Sequence, residues 1–280
     1  MATDLALRLR AGSELNSVMN PTPTETVLIT GASSGIGLEL ARGFAADKSN
    51  LILVARSHDA LEKLAEELRR EHKISVHVLC ADLAKPESPS EIFSDLQGRG
   101  IAVNVLVNNA GFGLHGGFTD LPLRRQLEMI QVNIAALVEL TRLFLPGMME
   151  RNRGGILNVG SVAGFVPGPQ MAAYYATKAF VMSFSEALHE ELRCTHVRIT
   201  NLCPGPTESN FSQVARSHHA RKVSARKMSA AKVARIGHED FRRGVHVSLP
   251  GAGSKLLSIA PRFFPRSSVR RMVGKYNRLK

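Results

Sequence analysis

Thr26-Val27-Leu28-Ile29-Thr30-Gly31-Ala32-Ser33-Ser34-Gly35-Ile36-Gly37 decides the fold, because it joins a short apolar run to a glycine-rich turn and the start of a helix. Val27-Leu28-Ile29 is apolar on both faces, which suits a strand buried inside a parallel sheet with helices covering either side. The glycines let main-chain amides come close to an anion, and a helix opening inside the turn adds the positive end of its dipole. The spacing is G-x-x-x-G-x-G rather than the commoner G-x-G-x-x-G of dinucleotide sites. A glycine turn that merely joins strand to helix is the plain alternative. Gly31, Ser33, Ser34, Gly35 and Ile36 are the candidate pyrophosphate contacts.

The same alternation continues along the chain. Apolar runs recur at Leu51-Ile52-Leu53-Val54, Val76-His77-Val78-Leu79, Val103–Val107, Gly155–Val159 and Val197–Leu202. Helical patterns fall between them at Leu38–Ala46, Ala60–His72, Pro89–Gln97, Leu123–Met149 and Tyr174–Arg193. Strands alternating with helices predict an α/β fold: one domain with a doubly wound, Rossmann-like parallel sheet and helices on both faces. Ligands in such folds bind at the carboxyl ends of the strands, so the residues just after each strand are where chemistry is expected. The organisation read from the chain is a flexible N-terminal extension (1–25), a dinucleotide-binding and catalytic domain (26–215) and a basic C-terminal extension (216–280) on or beside that domain.

In NAD sites an acid about 20 residues past the glycine turn commonly binds the ribose 2′-hydroxyl. Here the second strand ends Val54-Ala55-Arg56-Ser57, with no acid. A forked guanidinium at Arg56 matches a 2′-phosphate, which favours NADP(H); a solvated surface cation is the bland reading. Tyr174 and Lys178 are four apart on one helix face, where an ammonium near a phenol is expected to lower the phenol's pKa. Ser161 follows the fifth strand and precedes Tyr174 by 13 residues, and its hydroxyl can hydrogen-bond a reacting oxygen.

Taken together, Thr30–Gly37, Asp82-Leu83, Asn108-Asn109-Ala110-Gly111, Asn133, Ser161, Tyr174–Lys178 and Pro204–Thr207 make the chain resemble a classical short-chain dehydrogenase/reductase. The resemblance covers Thr26 to Thr207. It implies an oxidoreductase in which Tyr174 is general acid or base, Lys178 binds the nicotinamide ribose, Ser161 orients the substrate carbonyl and Asn133 supports a proton relay. It further implies Asp82 and Leu83 near the adenine, Asn109, Ala110 and Gly111 shaping the cofactor site, and Pro204, Gly205 and Thr207 at the nicotinamide end. Tyr175 is off the family spacing and is expected to be packing or pocket lining. The reaction expected is reduction of an apolar or acyl-chain ketone or aldehyde with NADPH, with alcohol oxidation or non-catalytic NADP sensing as alternatives. Phe112, Leu114, Phe165, Val166, Pro167 and Met171 are apolar neighbours of the expected site. A homodimer or tetramer is implied by the resemblance.

Composition bounds the rest. With 280 residues, 44% apolar and 21% charged, the chain is not disordered or fibrous. Three cysteines without metal spacing exclude a disulfide framework or zinc motif and fit a reducing, cytoplasmic setting. No run of about 18 consecutive apolar residues occurs, and no signal peptide is expected at the start. The charge of +12 is uneven: from Arg216 onward 17 Lys and Arg face two acids, giving +15, while the preceding part carries −3. Three readings suit that basic end: a solvated face, peripheral contact with an anionic membrane through Leu256–Arg266, or nucleic acid, which no binding module supports. His218, His219, His238 and His246 are expected to be surface residues, and Met148-Met149 core or interface filling.

Overall fold

A computed structural model of the chain describes residues 24–208 and 227–278. Its strands are β1 (Thr26–Thr30), β2 (Asn50–Ala55), β3 (Val76–Cys80), β4 (Val105–Asn108), β5 (Gly154–Val159), β6 (Val197–Leu202), β7 (Thr207–Glu208), β8 (Met228–Ser229) and β9 (Val247–Ser248). Seven form one parallel sheet in the order β3-β2-β1-β4-β5-β6-β9, and β7 pairs with β8 in a separate parallel ribbon. The helices are α1 (Gly35–Ala46), α2 (His58–His72), α3 (Ser88–Gly98), α4 (Leu123–Ile130), α5 (Ala136–Glu150), α6 (Ala172–Glu191), α7 (Ala230–Arg242), α8 (Ala252–Ile259) and α9 (Arg266–Arg278).

Because successive strand residues point to opposite faces, β1 feeds two cores. Val27 and Ile29 pack with Leu40 and Phe44 of α1, Leu61 and Leu68 of α2 and Phe241 of α7. Leu28 packs on the other face with Ile92 of α3, Leu140 and Phe144 of α5 and Ile199 of β6. The doubly wound architecture is therefore as the strand and helix pattern predicted.

Several boundaries differ for local reasons. The strand expected from Val103 starts at Val105, because Asn104 turns its side chain back to accept from Thr26 N at 2.8 Å. The helix expected over Leu123–Met149 is interrupted by a π turn at Gln131–Ala135, which carries Asn133 inward. A π turn of this kind is a frequent mark of a functional position. β9 is two residues long, too short for an apolar run to announce it. The unit Leu123–Glu150 is long enough to cross a membrane and holds an 18-residue window with a mean hydropathy of 1.3, yet Ala136, Leu140, Phe144 and Met148 are spent on the core.

α7 is tied to α1 by a mixed clamp. Arg242 stacks 4.9 Å from the Phe44 ring centroid and pairs with Glu25 at 2.7 Å and Asp47 at 2.8 Å. His238 meets the same Asp47 at 2.9 Å and the edge of Phe44. This corrects the expectation that His238 is a surface residue: its side chain is 13% exposed, and burial holds its pKa below the ordinary imidazole value. Glu25 likewise joins the folded body, whereas His218, His219 and nearly all of 1–25 lie outside the described residues. His246 is exposed and stacks on His189; Met148 is buried and Met149 half exposed.

Candidate active site

A cleft of about 1460 Å³ runs along the carboxyl ends of β1, β2, β4, β5 and β6. At one end is the glycine turn. Gly31 and Gly35 have φ of +66° and +59°, a left-handed backbone that favours glycine. A Cβ on Gly31 would stand 2.8 Å from Asn109 Nδ2, and one on Gly37 would stand 2.4 Å from the Gly31 carbonyl oxygen. The turn is thus closed on itself tightly enough to require glycine. It is also bolted to the loop after β4: Thr30 Oγ1 accepts from the Asn109 and Ala110 amides at 3.0 Å, while Asn109 Nδ2 donates to the Thr30 and Gly31 carbonyls.

Ser34 caps α1 without a side-chain hydrogen bond, and the first turn of α1 holds no acid. Ser33, Ser34, Gly35 and Ile36 line the cleft there, so the positive end of the helix faces the cavity uncompensated by any carboxylate of its own first turn. Arg56 and Ser57 follow on the lining, with Asp82 and Leu83 beside them. The Asp82 carboxylate accepts from Ala84 N at 3.1 Å and its carbonyl accepts from Ser88 Oγ at 2.9 Å, which shapes the loop after β3. An anion-receptive helix end followed by a cation where an acid is missing fits a dinucleotide carrying a 2′-phosphate. Asn109, Ala110 and Gly111 border the middle of the cleft, and Pro204, Gly205 and Thr207 close its other side, where Thr207 Oγ1 donates to Gly205 O at 2.9 Å.

The polar centre lies between these walls. Ser161 lies two residues past β5 and accepts from Ala163 N at 3.1 Å, which fixes its hydroxyl at the start of the short turn Val162–Phe165. Tyr174 is 8% exposed and hydrogen-bonded to Ser161. One turn along α6, Lys178 donates to the Val159 carbonyl at 2.8 Å. The expected lowering of the tyrosine pKa by Lys178 is not what the geometry gives. Lys178 Nζ gives one of its three donors to Val159 and stands 6.0 Å from the Tyr174 ring centroid. Burial pushes the phenol above its ordinary value, and Ser161 is the group pulling it back. Burial also lowers the Lys178 ammonium to about 8.

Asn133 is 1% exposed and fully engaged: Oδ1 accepts from Phe112 N at 3.1 Å, and Nδ2 donates to Phe112 O at 3.0 Å and Thr177 Oγ1 at 3.1 Å. It joins the loop after β4 to α6, placing Gly111 beside Lys178. A Cβ on Gly111 would lie 3.0 Å from Asn133 Oδ1 and 3.6 Å from Lys178 Nζ. Tyr175 lines the cleft as expected and packs edge-on to Tyr174.

Phe112, Val166 and Met171 line the cavity. Leu114 packs behind Tyr174 with Met129, whereas Phe165 and Pro167 fall outside the lining. The wall that sequence reasoning missed is C-terminal: Ser254 and Leu257 of α8, and Met272, Val273 and Tyr276 of α9. α9 is latched there by Asn277, whose Nδ2 donates to Pro169 O at 2.7 Å and whose carbonyl meets His115 Nε2 at 3.1 Å. The readable signal was Val269, Met272, Val273 and Tyr276, spaced i, i+3, i+4, i+7 as one helical face. Among the described residues no cluster of His, Cys, Asp or Glu is arranged to hold a metal.

The chain matches the family model for short chain dehydrogenase over residues 25–220. The human very-long-chain 3-oxoacyl-CoA reductase is 34% identical over 184 residues, covering 64% of this chain and 58% of that one. An NADP-dependent 3-hydroxy acid dehydrogenase of Schizosaccharomyces pombe is 37% identical over 196 residues, covering 69% and 75%. Among solved structures, a short-chain dehydrogenase from Sphingobium yanoikuyae in complex with NADPH superposes with a TM-score of 0.77 at 33% identity, covering 85% of this chain and 90% of that one. The chain thus spans less than two thirds of the human reductase's length.

Proposed function

The chain belongs to the short-chain dehydrogenase family of oxidoreductases, and from that premise we propose that it reduces an apolar ketone or aldehyde to the alcohol using NADPH. The observation that carries this reading is the meeting of Ser161, Tyr174 and Lys178 in one cleft with the glycine turn and Arg56. The nicotinamide, when bound, supplies the hydride. The α1 N-terminus and the amides of Ser33 to Ile36 hold the phosphates, and the Arg56 guanidinium holds the 2′-phosphate. Lys178 binds the nicotinamide ribose. Asp82 and Leu83 border the adenine, and Pro204, Gly205 and Thr207 the nicotinamide end.

Ser161 Oγ orients the substrate carbonyl, and Tyr174 Oη gives its proton to the carbonyl oxygen as negative charge gathers there. Burial holds the Tyr174 phenol above its ordinary pKa, so it is protonated before substrate arrives, and the Ser161 hydrogen bond works against that rise. Asn133, its side chain committed to Phe112 and Thr177, is a positioning residue for the relay that restores that proton. Phe112, Val166, Met171, Leu257 and Val273 give the substrate pocket its apolar character.

The working unit on this reading is residues 26–215 together with the stretch from 216, because β9 extends the sheet and α8 and α9 wall the cleft. Leu123 and Leu127 on α4 and Phe180 on α6 stand exposed and suit a homodimer or tetramer. Free thiols at Cys80 and Cys194 on the surface suit a reducing compartment.

The test is titration with NADPH and NADH by fluorescence, followed by a screen of aliphatic, aromatic, steroid and 3-ketoacyl carbonyls at the cofactor's absorbance. Tighter binding of NADPH with turnover of the apolar members is expected. Preference for NADH would overturn the Arg56 assignment, and binding with no turnover of any class would overturn the reductase reading.

A further inference from the structure

α8 is inverted relative to an ordinary surface helix. Its buried positions are Ser254 and Ser258, while Leu256, Leu257 and Ile259 face outward, Leu256 at 66% exposure. The chain then passes through Pro261, and Phe263 and Phe264 follow at 78% and 59% exposure ahead of Pro265. Scattered apolar residues on a surface need no explanation, but five large exposed ones within nine positions concentrate apolar surface on one short stretch of chain. Beside it, Lys255, Arg266, Arg270, Arg271 and Lys275 are exposed. Among the described residues none of the five forms an ion pair, and the sequence holds no acid after Asp240.

We propose that this face, formed by α8, the Pro261–Pro265 connection and the outer side of α9, docks the protein on an anionic bilayer surface. Charge decides between this occupant and a second copy of the chain, since self-pairing would bring cations against cations with no acid to offset them. A bilayer interface satisfies both halves: acyl boundary for Leu256, Ile259, Phe263 and Phe264, and anionic headgroups for the basic ring. The patch is also continuous with the cleft. Leu257 on α8 and Met272 and Tyr276 on α9 belong to the cavity lining and are themselves exposed, so an apolar substrate can pass from the docked face to Tyr174 along one apolar track. This last point rests on the reductase reading; the docking itself does not.

The experiment is co-sedimentation of the full chain with vesicles of phosphatidylcholine alone and of phosphatidylcholine with roughly a quarter phosphatidylserine. Salt dependence, the oligomeric state by analytical ultracentrifugation and turnover of a small water-soluble ketone are followed in parallel. The wild type is expected in the pellet with phosphatidylserine vesicles and in the supernatant with phosphatidylcholine alone. Phe263→Ser with Phe264→Ser, and separately Arg271→Gln with Lys275→Gln, are each expected to lower partitioning about tenfold or more. None of these residues lines the cleft, so turnover of the soluble ketone is expected to stay at the wild-type rate. Equal partitioning of wild type and both variants, or a patch variant that instead dissociates an oligomer, overturns the docking proposal. If the protein binds vesicles as stated but turns over no carbonyl, the docking stands and the reductase reading falls.

Discussion

The β1–β6 region and the C-terminal helices α8 and α9 line the same cleft but are built by opposite means. In the first, each chemical group is held by specific short bonds: Asn109 to the Thr30 and Gly31 carbonyls, Asn133 to Phe112 and Thr177, Lys178 to Val159. In the second, one buried amide, Asn277, latches a helix whose apolar side faces the cavity and whose basic side faces solvent. Chemistry needs atoms fixed to fractions of an ångström, and those constraints leave residue-specific spacings. Recognition of an apolar substrate needs only area and shape, which many sequences supply.

The sharpest way to break this division is at Tyr174. Tyr174→Phe removes one oxygen and is expected to cost about a thousandfold in turnover, with NADPH affinity kept within a few-fold. Fluorescence titration and single-turnover absorbance check both halves; near wild-type turnover would take the chemistry away from the motif region. Arg56→Glu comes next. Reversing the charge at the end of β2 is expected to weaken NADPH by roughly ten- to a hundredfold and to spare NADH, as competitive titration will measure.

A third effect is on stability and is peculiar to the fixed region. Lys178 has an ordinary pKa of 10.5 and is lowered to about 8 in the folded chain, so between those values the unfolded chain holds more protons. Its contribution to stability therefore rises with pH across that window and is most unfavourable below pH 8. Tyr174 and Cys203, both raised by burial, act in the opposite direction at the alkaline end, so the wild type is to be compared with Lys178→Met rather than with itself. Urea unfolding without cofactor is expected to show the wild type gaining on the variant by on the order of 2 kcal/mol from pH 7.5 to 10. A constant difference would mean that the ammonium is not held in a desolvated place.

What was legible in the sequence follows the same line. The glycine turn, the alternation of strands with helices and the spacing from Ser161 to Tyr174 to Lys178 are local patterns; the alternation gives the parallel sheet that was expected, and the turn and the three residues line one cleft. Asn133 was named, but the π turn that swings it inward depends on Phe112 and Thr177, 21 and 44 residues away. The sign of the tyrosine shift was misread because spacing along a helix tells which side chains share a face and not which carbonyl, here Val159, takes the ammonium. His238 was placed at the surface because its partners Phe44 and Asp47 come from another helix and the loop after it. The C-terminal wall was passed over because its charge was more conspicuous than the apolar stripe through Val269, Met272, Val273 and Tyr276.

The central claim, that the motif region performs the transfer while the C-terminal helices choose an apolar substrate, is tested most directly by kcat/KM along a homologous series of methyl ketones for the wild type and Val273→Asp. The account predicts that wild-type kcat/KM rises about three- to fourfold per buried methylene, and that the variant flattens this slope while matching the wild type on the shortest ketone. An unchanged slope in Val273→Asp, or loss of activity on every member alike, would contradict it.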